Sequence, residues 1–502
     1  MKYLLTYLKK YKAESILAPL FKMLEALFDL TVPLIVAKII DVGIVGGDTK
    51  YILSRFALLL LMAALGLASS FTAQYFAARA AIGTSTGLRH DLLKTIQSFG
   101  FPELDRFGAS ALITRMTADV NQVQSGINMF LRLFLRSPFI VFGAMIMAFT
   151  INRSIALVFA AAIPILFVIV FGVMFLTKPQ YKKQQQQLDR VTRTARGNLE
   201  GVRVIRAFGT EARESKCFES ENAELAGIQL KAGRESALMN PLSYIVVNGG
   251  IILILWIGAE KVNGGVLLSG NVIALINYLS QILVELVKLA NLIVQLSKAV
   301  VSSGRIAQIL DTKPSMQYKS VTEDSGDTAL AFENVSLRYG GASENSLTNI
   351  SFSAKRGETV GIIGGTGSGK TTLVSLAARF YDATEGRIEF MGADIRDWDK
   401  KAIRKRVAVV MQRAQLFSGT VRSNLLYGSP SADDDELWAA LEAAQAADFV
   451  TRRLSRAAGI FPAVSGSGFA WRAQSRQSPT CLFLTTAPRR LITQPTPPCA
   501  AR

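Results

Sequence analysis

Apolar positions crowd into six stretches of this chain, over 15–40, 53–78, 127–150, 154–177, 241–262 and 272–295. Each reaches the roughly 20 mostly apolar residues that a membrane-spanning helix needs. The first is the least apolar: Lys22, Glu25 and Asp29 recur in it at helical spacing and so share one face. Charge at membrane depth turns toward a bundle interior or a wet cavity; the other reading is that this end of the helix lies in water. The connecting segments alternate in length. Those at 43–50, 152–153 and 259–270 are short, and those at 79–126 and 178–240 are long. The long ones keep helical periodicity with few breakers, so the helices should continue beyond the membrane. The run Gln184, Gln185, Gln186, Gln187 reads as a solvated helix face.

The pattern changes after Lys313. Residues 314–328 are polar and without apolar period, which reads as a linker. Strand-like alternation follows at 331–339 and 347–354, with further strands expected at 386–391 and 406–411 and a helix at 433–449. Between them, 358–364 reads as a short buried strand and 371–380 as a helix, joined by Gly364, Gly365, Thr366, Gly367, Ser368, Gly369, Lys370, Thr371 and Thr372. This fits G-x-x-x-x-G-K-[ST] in the strand–loop–helix setting that the motif requires. Glycines let successive backbone N–H groups turn toward phosphate oxygens, Lys370 supplies a positive charge, and the Thr371 hydroxyl can ligate Mg²⁺. The helix start adds its own partial positive charge.

Composition bears on partners. Half of the 502 residues are hydrophobic, too many for an ordinary soluble enzyme, and the net charge is +18. A nucleic-acid partner is one reading of that charge. The membrane reading accounts for it better, and no nucleic acid is expected, because the basic residues flank the apolar stretches. Lys178, Lys182, Lys183, Arg190, Arg193, Arg196, Arg203 and Arg206 all fall in one long connection, which the positive-inside rule places on the cytoplasmic side. Both termini then lie there too. The first twelve residues lack a small-residue cleavage site and read as an amphipathic segment on the inner membrane surface. Cys217, Cys481 and Cys499 show no metal spacing, and the lone histidine, His90, reads as solvated.

This order of elements resembles half of an ATP-binding cassette (ABC) exporter, with six spans and long inner loops followed by a cassette on the same chain. The resemblance covers about residues 1–450. It implies a membrane α-helical bundle over 1–312, a linker at 313–329 and an incomplete α/β P-loop NTPase domain over 330–450. It implies ATP and Mg²⁺ as ligands and ATP hydrolysis coupled to translocation in a cell membrane. Tyr339 matches the aromatic residue that stacks on adenine. Lys370 and Gln412 are the catalytic candidates, with Thr371 and Gln412 toward Mg²⁺. The run Phe208, Gly209, Thr210, Glu211, Ala212, Arg213 looks like the short inner-loop helix that docks on a cassette. An importer typically carries membrane and cassette parts on separate chains, and six spans exclude a soluble P-loop kinase.

The chain departs from the family after Val450. Residues 451–502 hold eight arginines and six of the fifteen prolines, but no Asp, Glu, His or Lys. The family's S-G-G-Q signature, the strand ending in Asp, the catalytic carboxylate and the switch histidine are all missing. A frameshift accounts for this. Taking the third base of each codon with the first two of the next, 461–469 can encode Ser-Gly-Gly-Gln-Arg-Gln-Arg-Leu, and 484–492 can encode Asp-Asp-Ser-Thr-Ser-Ala-Leu-Asp. The spacing before the first is short, as a small out-of-frame deletion near 450–454 would leave it. The second Asp arises from an N-A-C codon, which never encodes Glu. The unshifted relative would thus lack the usual glutamate, as at the weak site of a heterodimeric exporter. That implies a second, complete half-transporter as partner in the lipid bilayer. The rival expectations are a truncated product without turnover and a regulatory membrane protein that uses ATP as a ligand.

Overall fold

The computed structural model describes residues 6–321, 327–410 and 416–450 apart from 445, 448 and 449, together with the backbone of 481–484. The chain divides into two compact units, one of Met1–Leu93 with Ile113–Asp311 and one of Lys94–Leu112 with Thr312–Arg502.

The first unit is helical. Its elements are α1 (Lys12–Lys38), α2 (Thr49–Ser98), α3 (Phe101–Phe107), α4 (Ala109–Thr114), α5 (Val120–Leu133), α6 (Arg136–Ile151), α7 (Arg153–Glu200), α8 (Val202–Ala207), α9 (Glu211–Ala237), α10 (Met239–Asn263) and α11 (Ser269–Asp311). Of these, α3, the end of α2 from Lys94 and α4 as far as Leu112 belong to the second unit. Among the described residues, five helical segments are long and apolar enough to cross a membrane. The helix α1, over the first expected span, is not among them, because Lys22, Glu25 and Asp29 interrupt it. The apolar part of α2 is only 11% buried, and Leu53, Phe56, Leu60 and Phe71 face outward. That suits a lipid neighbour, where apolar exposure costs nothing.

Packing centres on α11, which lies against α1, α5, α6, α7 and α10. Lipid gives helices no hydrophobic drive to associate, so close approach at small residues matters more. A Cβ on Gly143 would come within 2.4 Å of Leu30, and one on Gly250 within 2.7 Å of Leu279. Phe159, Leu166, Ile254, Leu275 and Tyr278 fill the core between these contacts. Tyr278 donates its hydroxyl hydrogen to the Leu30 carbonyl. Below the core, Asp119 ends a π turn, 115–119, and is held by Arg305 of α11.

Two readings of the connections change. The 208–210 segment is a turn, with the short helix one turn earlier at α8, because Gly209 takes φ +64° and ends it. Gln187 is not solvated. It is buried, and its amide donates to the Glu221 carbonyl and to Glu224 of α9 at 3.2 and 3.1 Å. His90 is exposed, as expected.

The second unit carries β1 (Thr328–Leu337), β2 (Leu347–Lys355), β3 (Glu385–Phe390) and β4 (Ala393–Asp394) in one antiparallel sheet, ordered β2-β1-β3-β4. A parallel pair joins β5 (Val407–Val410) to β6 (Cys481–Leu484). The helices are α12 (Lys370–Ala377), α13 (Lys400–Arg406), α14 (Val421–Leu425) and α15 (Asp434–Ala443). Phe332, Val335, Leu376, Ile388, Phe390, Trp398 and Ile403 form its core. Trp398 is fully buried and donates its indole N–H to the Phe390 carbonyl at 2.9 Å.

The strand expected at 358–364 does not form. Those residues pair with no described strand and lie open, with Ile363 98% exposed. A parallel strand needs partners on its edges and cover on both faces, and the described residues supply neither here.

Candidate functional site

The phosphate-loop sequence does form the loop–helix turn. Gly369 is the N-cap of α12 at φ +84°, in left-handed backbone that a side chain resists. A Cβ there would also sit 3.0 Å from the Ser346 carbonyl oxygen and 2.6 Å from Leu347 Cδ2. Lys370 opens the helix, and its ammonium is turned back into the loop. It donates to the Gly364 carbonyl at 2.8 Å, the Gly365 carbonyl at 2.6 Å and Ser368 Oγ at 3.2 Å. Three acceptors thus hold a mobile cation where anionic oxygens could replace them. Thr371 is exposed, whereas Thr372 is buried.

Tyr339 follows the end of β1 and reaches the same helix. Its hydroxyl donates to Thr372 Oγ1 at 3.2 Å. Tyr381 meets it edge-on, with ring centroids 5.1 Å apart and planes at 90°. Tyr381 in turn donates to Asp105, within the same unit, and Phe101 stacks on Phe380 at 4.4 Å. Burial, with the Asp105 carboxylate beside it, pushes the Tyr381 phenol up. The sequence carries no signal for this extension, because α3 lies far from Tyr339 along the chain. Glu103 fixes α3: it accepts from Gly100 N at 2.8 Å and Ser315 N at 3.0 Å. Gln412, the remaining expected site residue, lies outside the described residues.

Behind the loop, Arg379 is almost wholly buried. It bonds Asp382 at 3.0 Å and the carbonyls of Gln317 at 2.6 Å and Trp398 at 3.4 Å. Arg404 donates to the Ala378 carbonyl at 2.8 Å and so caps the end of α12. These contacts fix the helix whose start carries the loop.

A second cluster lies in the helical unit. The face of Lys22, Glu25 and Asp29 turns into the bundle. Arg136 of α6 bonds Asp29 at 2.8 Å and Glu285 of α11 at 2.9 Å, with Glu25 at 3.9 Å. Ser137 donates to Glu285 at 2.8 Å, Lys288 pairs with it at 2.9 Å, and Lys22 pairs with Glu25 and reaches Ser70 at 3.1 Å. Beside this layer, α1 and α6 line an apolar cleft of about 490 Å³ with Met23, Leu27, Leu30, Phe139, Phe142 and Ile146.

Comparison with known proteins gives the family. The family model for the ABC transporter transmembrane region matches residues 15–286, and the ABC transporter model matches 347–466, which runs past Val450. The uncharacterized ABC transporter ATP-binding protein YfiB of Bacillus subtilis is 32% identical over 441 residues, covering 88% of this chain and 77% of that protein. A Mycobacterium tuberculosis protein described in the same words, Rv1273c, is 31% identical over 450 residues, with the same coverage of 88% and 77%. The ATP-dependent lipid A-core flippase of Pseudomonas fluorescens is 28% identical over 396 residues, 79% of this chain and 66% of its own length. ATP binding, multi-pass insertion in a bilayer and transport-coupled ATPase chemistry come with this kinship. The chain belongs to the ABC transporters, as an exporter-type half-transporter whose membrane region and ATP-binding cassette share one polypeptide.

Proposed function

We propose that this chain is one half of an ATP-driven exporter, and that residues 364–372 with Tyr339 hold its nucleotide. The observation that carries the reading is the start of α12. Lys370 there sits on acceptors that phosphate oxygens can displace, and the Tyr339 hydroxyl lies 3.2 Å from Thr372 on the same turn. Gln412 is assigned to the attacking water. The bundle of 1–312 forms the pathway and 330–450 the cassette, joined by 313–329, with both termini cytoplasmic. The working unit pairs this chain with a different half-transporter that carries a complete catalytic site. Catalysis in such a pair is mostly positioning and charge stabilisation around the transferred phosphoryl group. The test is binding of trinitrophenyl-ATP to the purified full chain in detergent. Lys370→Ala should weaken binding at least tenfold, a loss of about 1.4 kcal/mol or more. Equal binding by wild type and K370A would sink the assignment.

A second reading has its own support. With no Asp, Glu or His in 451–502, this chain alone binds ATP without turning it over. The two motifs in one shifted frame favour a frameshift as the origin of that tail. Gene sequence over 450–492 that cannot encode Ser-Gly-Gly-Gln in the other frame would dispose of that origin.

A further inference from the structure

We infer that Tyr381 is a positioning residue for the purine base: it sets the ring plane of Tyr339, on which the base of a bound nucleoside triphosphate stacks. The inference rests on the assignment of residues 364–372 and Tyr339 to nucleotide. A base is held by an aromatic face, so the way that face is turned decides how well the base stacks. Tyr339 is half-buried, and its hydroxyl donates to Thr372 Oγ1 at 3.2 Å. That bond fixes the far end of the side chain but not its plane. The hydroxyl oxygen lies on the axis about which the ring turns, so rotation of the ring leaves it in place. The torsion itself is a broad one that imposes little.

Tyr381 supplies the missing constraint. Its ring meets Tyr339 at 90°, with centroids 5.1 Å apart, in the edge-to-face arrangement that aromatic quadrupoles favour. Turning Tyr339 about its axis would give up this geometry. Tyr381 is itself held. Its hydroxyl donates to Asp105 of α3. Burial, with that carboxylate beside it, pushes the phenol up and keeps it a donor. Phe101 of α3 tilts against Tyr381 at 6.0 Å and stacks on the neighbouring Phe380 at 4.4 Å. The Arg404 guanidinium covers Phe380 at 4.7 Å, and the buried Arg379 pairs with Asp382 at 3.0 Å. The run 379–382 is thus fixed on both sides of Tyr381, which carries that rigidity to Tyr339.

The experiment is displacement of trinitrophenyl-ATP from the purified full chain in detergent, by ATP and separately by inorganic tripolyphosphate, which has the phosphates without a base. Wild type should bind ATP about tenfold tighter than tripolyphosphate, the share of a stacked base. Tyr381→Leu keeps the bulk and removes the ring. It should weaken ATP about three- to tenfold and leave tripolyphosphate within about twofold. Tyr381→Phe keeps the ring, and its ratio of the two affinities should stay within about twofold of wild type. In a chain already carrying Tyr339→Leu, Y381L should not move that ratio further. Equal weakening of both ligands by Y381L overturns the positioning role, because damage to the loop would do the same. ATP binding untouched by Y381L overturns it as well, as does a ratio for Y381F as low as that of Y381L. Wild-type chain that binds ATP and tripolyphosphate equally overturns base stacking without any variant and leaves the phosphate loop standing. Failure of wild type to bind either ligand overturns the nucleotide assignment itself.

Discussion

Arg136 ties three helices of the bundle together, and its removal should be expensive in a specific way. The guanidinium is 11% exposed and the Glu285 side chain 3%, so this contact is nearly dry. Breaking one side of a buried pair costs about 3–5 kcal/mol, mostly from the charge left uncompensated. Glu285 would keep Lys288 at 2.9 Å and the Ser137 hydroxyl at 2.8 Å. Asp29, at 40% exposure, can draw on solvent. The loss for Arg136→Met should therefore fall at the low end, about 3 kcal/mol. If the stranded Glu285 charge causes it, removing that charge as well must recover part of the loss. Arg136→Met with Glu285→Gln should be more stable than Arg136→Met alone, with a coupling of about 2 kcal/mol. Unfolding by SDS in mixed micelles, followed by far-UV circular dichroism, measures all four members of the cycle. A single variant within about 1 kcal/mol of wild type would refute the burial argument. Strictly additive losses would refute the electrostatic one.

Two further changes test the second unit. Glu103 is pushed up by burial, but hydrogen bonds from Ser315 and Gly100 outweigh this and leave its carboxyl below the usual range. A lowered folded value stabilises above the unfolded one and fades as pH falls through it, so Glu103→Gln should cost about 1.5–3 kcal/mol at neutral pH. In thermal unfolding, the gap between E103Q and wild type should close below about pH 4. Gly369→Ala must force left-handed backbone and press a methyl to 3.0 Å from the Ser346 carbonyl oxygen. It should destabilise by at least about 1 kcal/mol and weaken trinitrophenyl-ATP binding, read by melting and by titration respectively.

The contrast between Lys370 and Arg136 shows what the sequence could carry. Lys370 was legible because its acceptors, Gly364, Gly365 and Ser368, lie within six positions of it, and a local motif fixes such contacts. Arg136 finds Asp29 and Glu285 at separations of 107 and 149 residues. Spacing in α1 could show that Lys22, Glu25 and Asp29 share a face, but not which cation would meet it. Gln187 failed for the same reason: a run of four amides looks solvated until α9 lies against one of them. The 358–364 strand fails differently. Its apolar run is correct for a parallel strand, yet a run of seven residues acquires strand structure only from neighbours. In this chain β5 pairs with 481–484, and the residues just before the phosphate loop stay uncovered. The loop still folds, because its contacts are its own and α12 is fixed from behind by Arg404 and the core around Leu376. A site of this kind keeps what is encoded locally, the anion cradle, whereas a contact brought from a distant element, such as Tyr381 with Asp105, leaves no mark in the spacing of the motif.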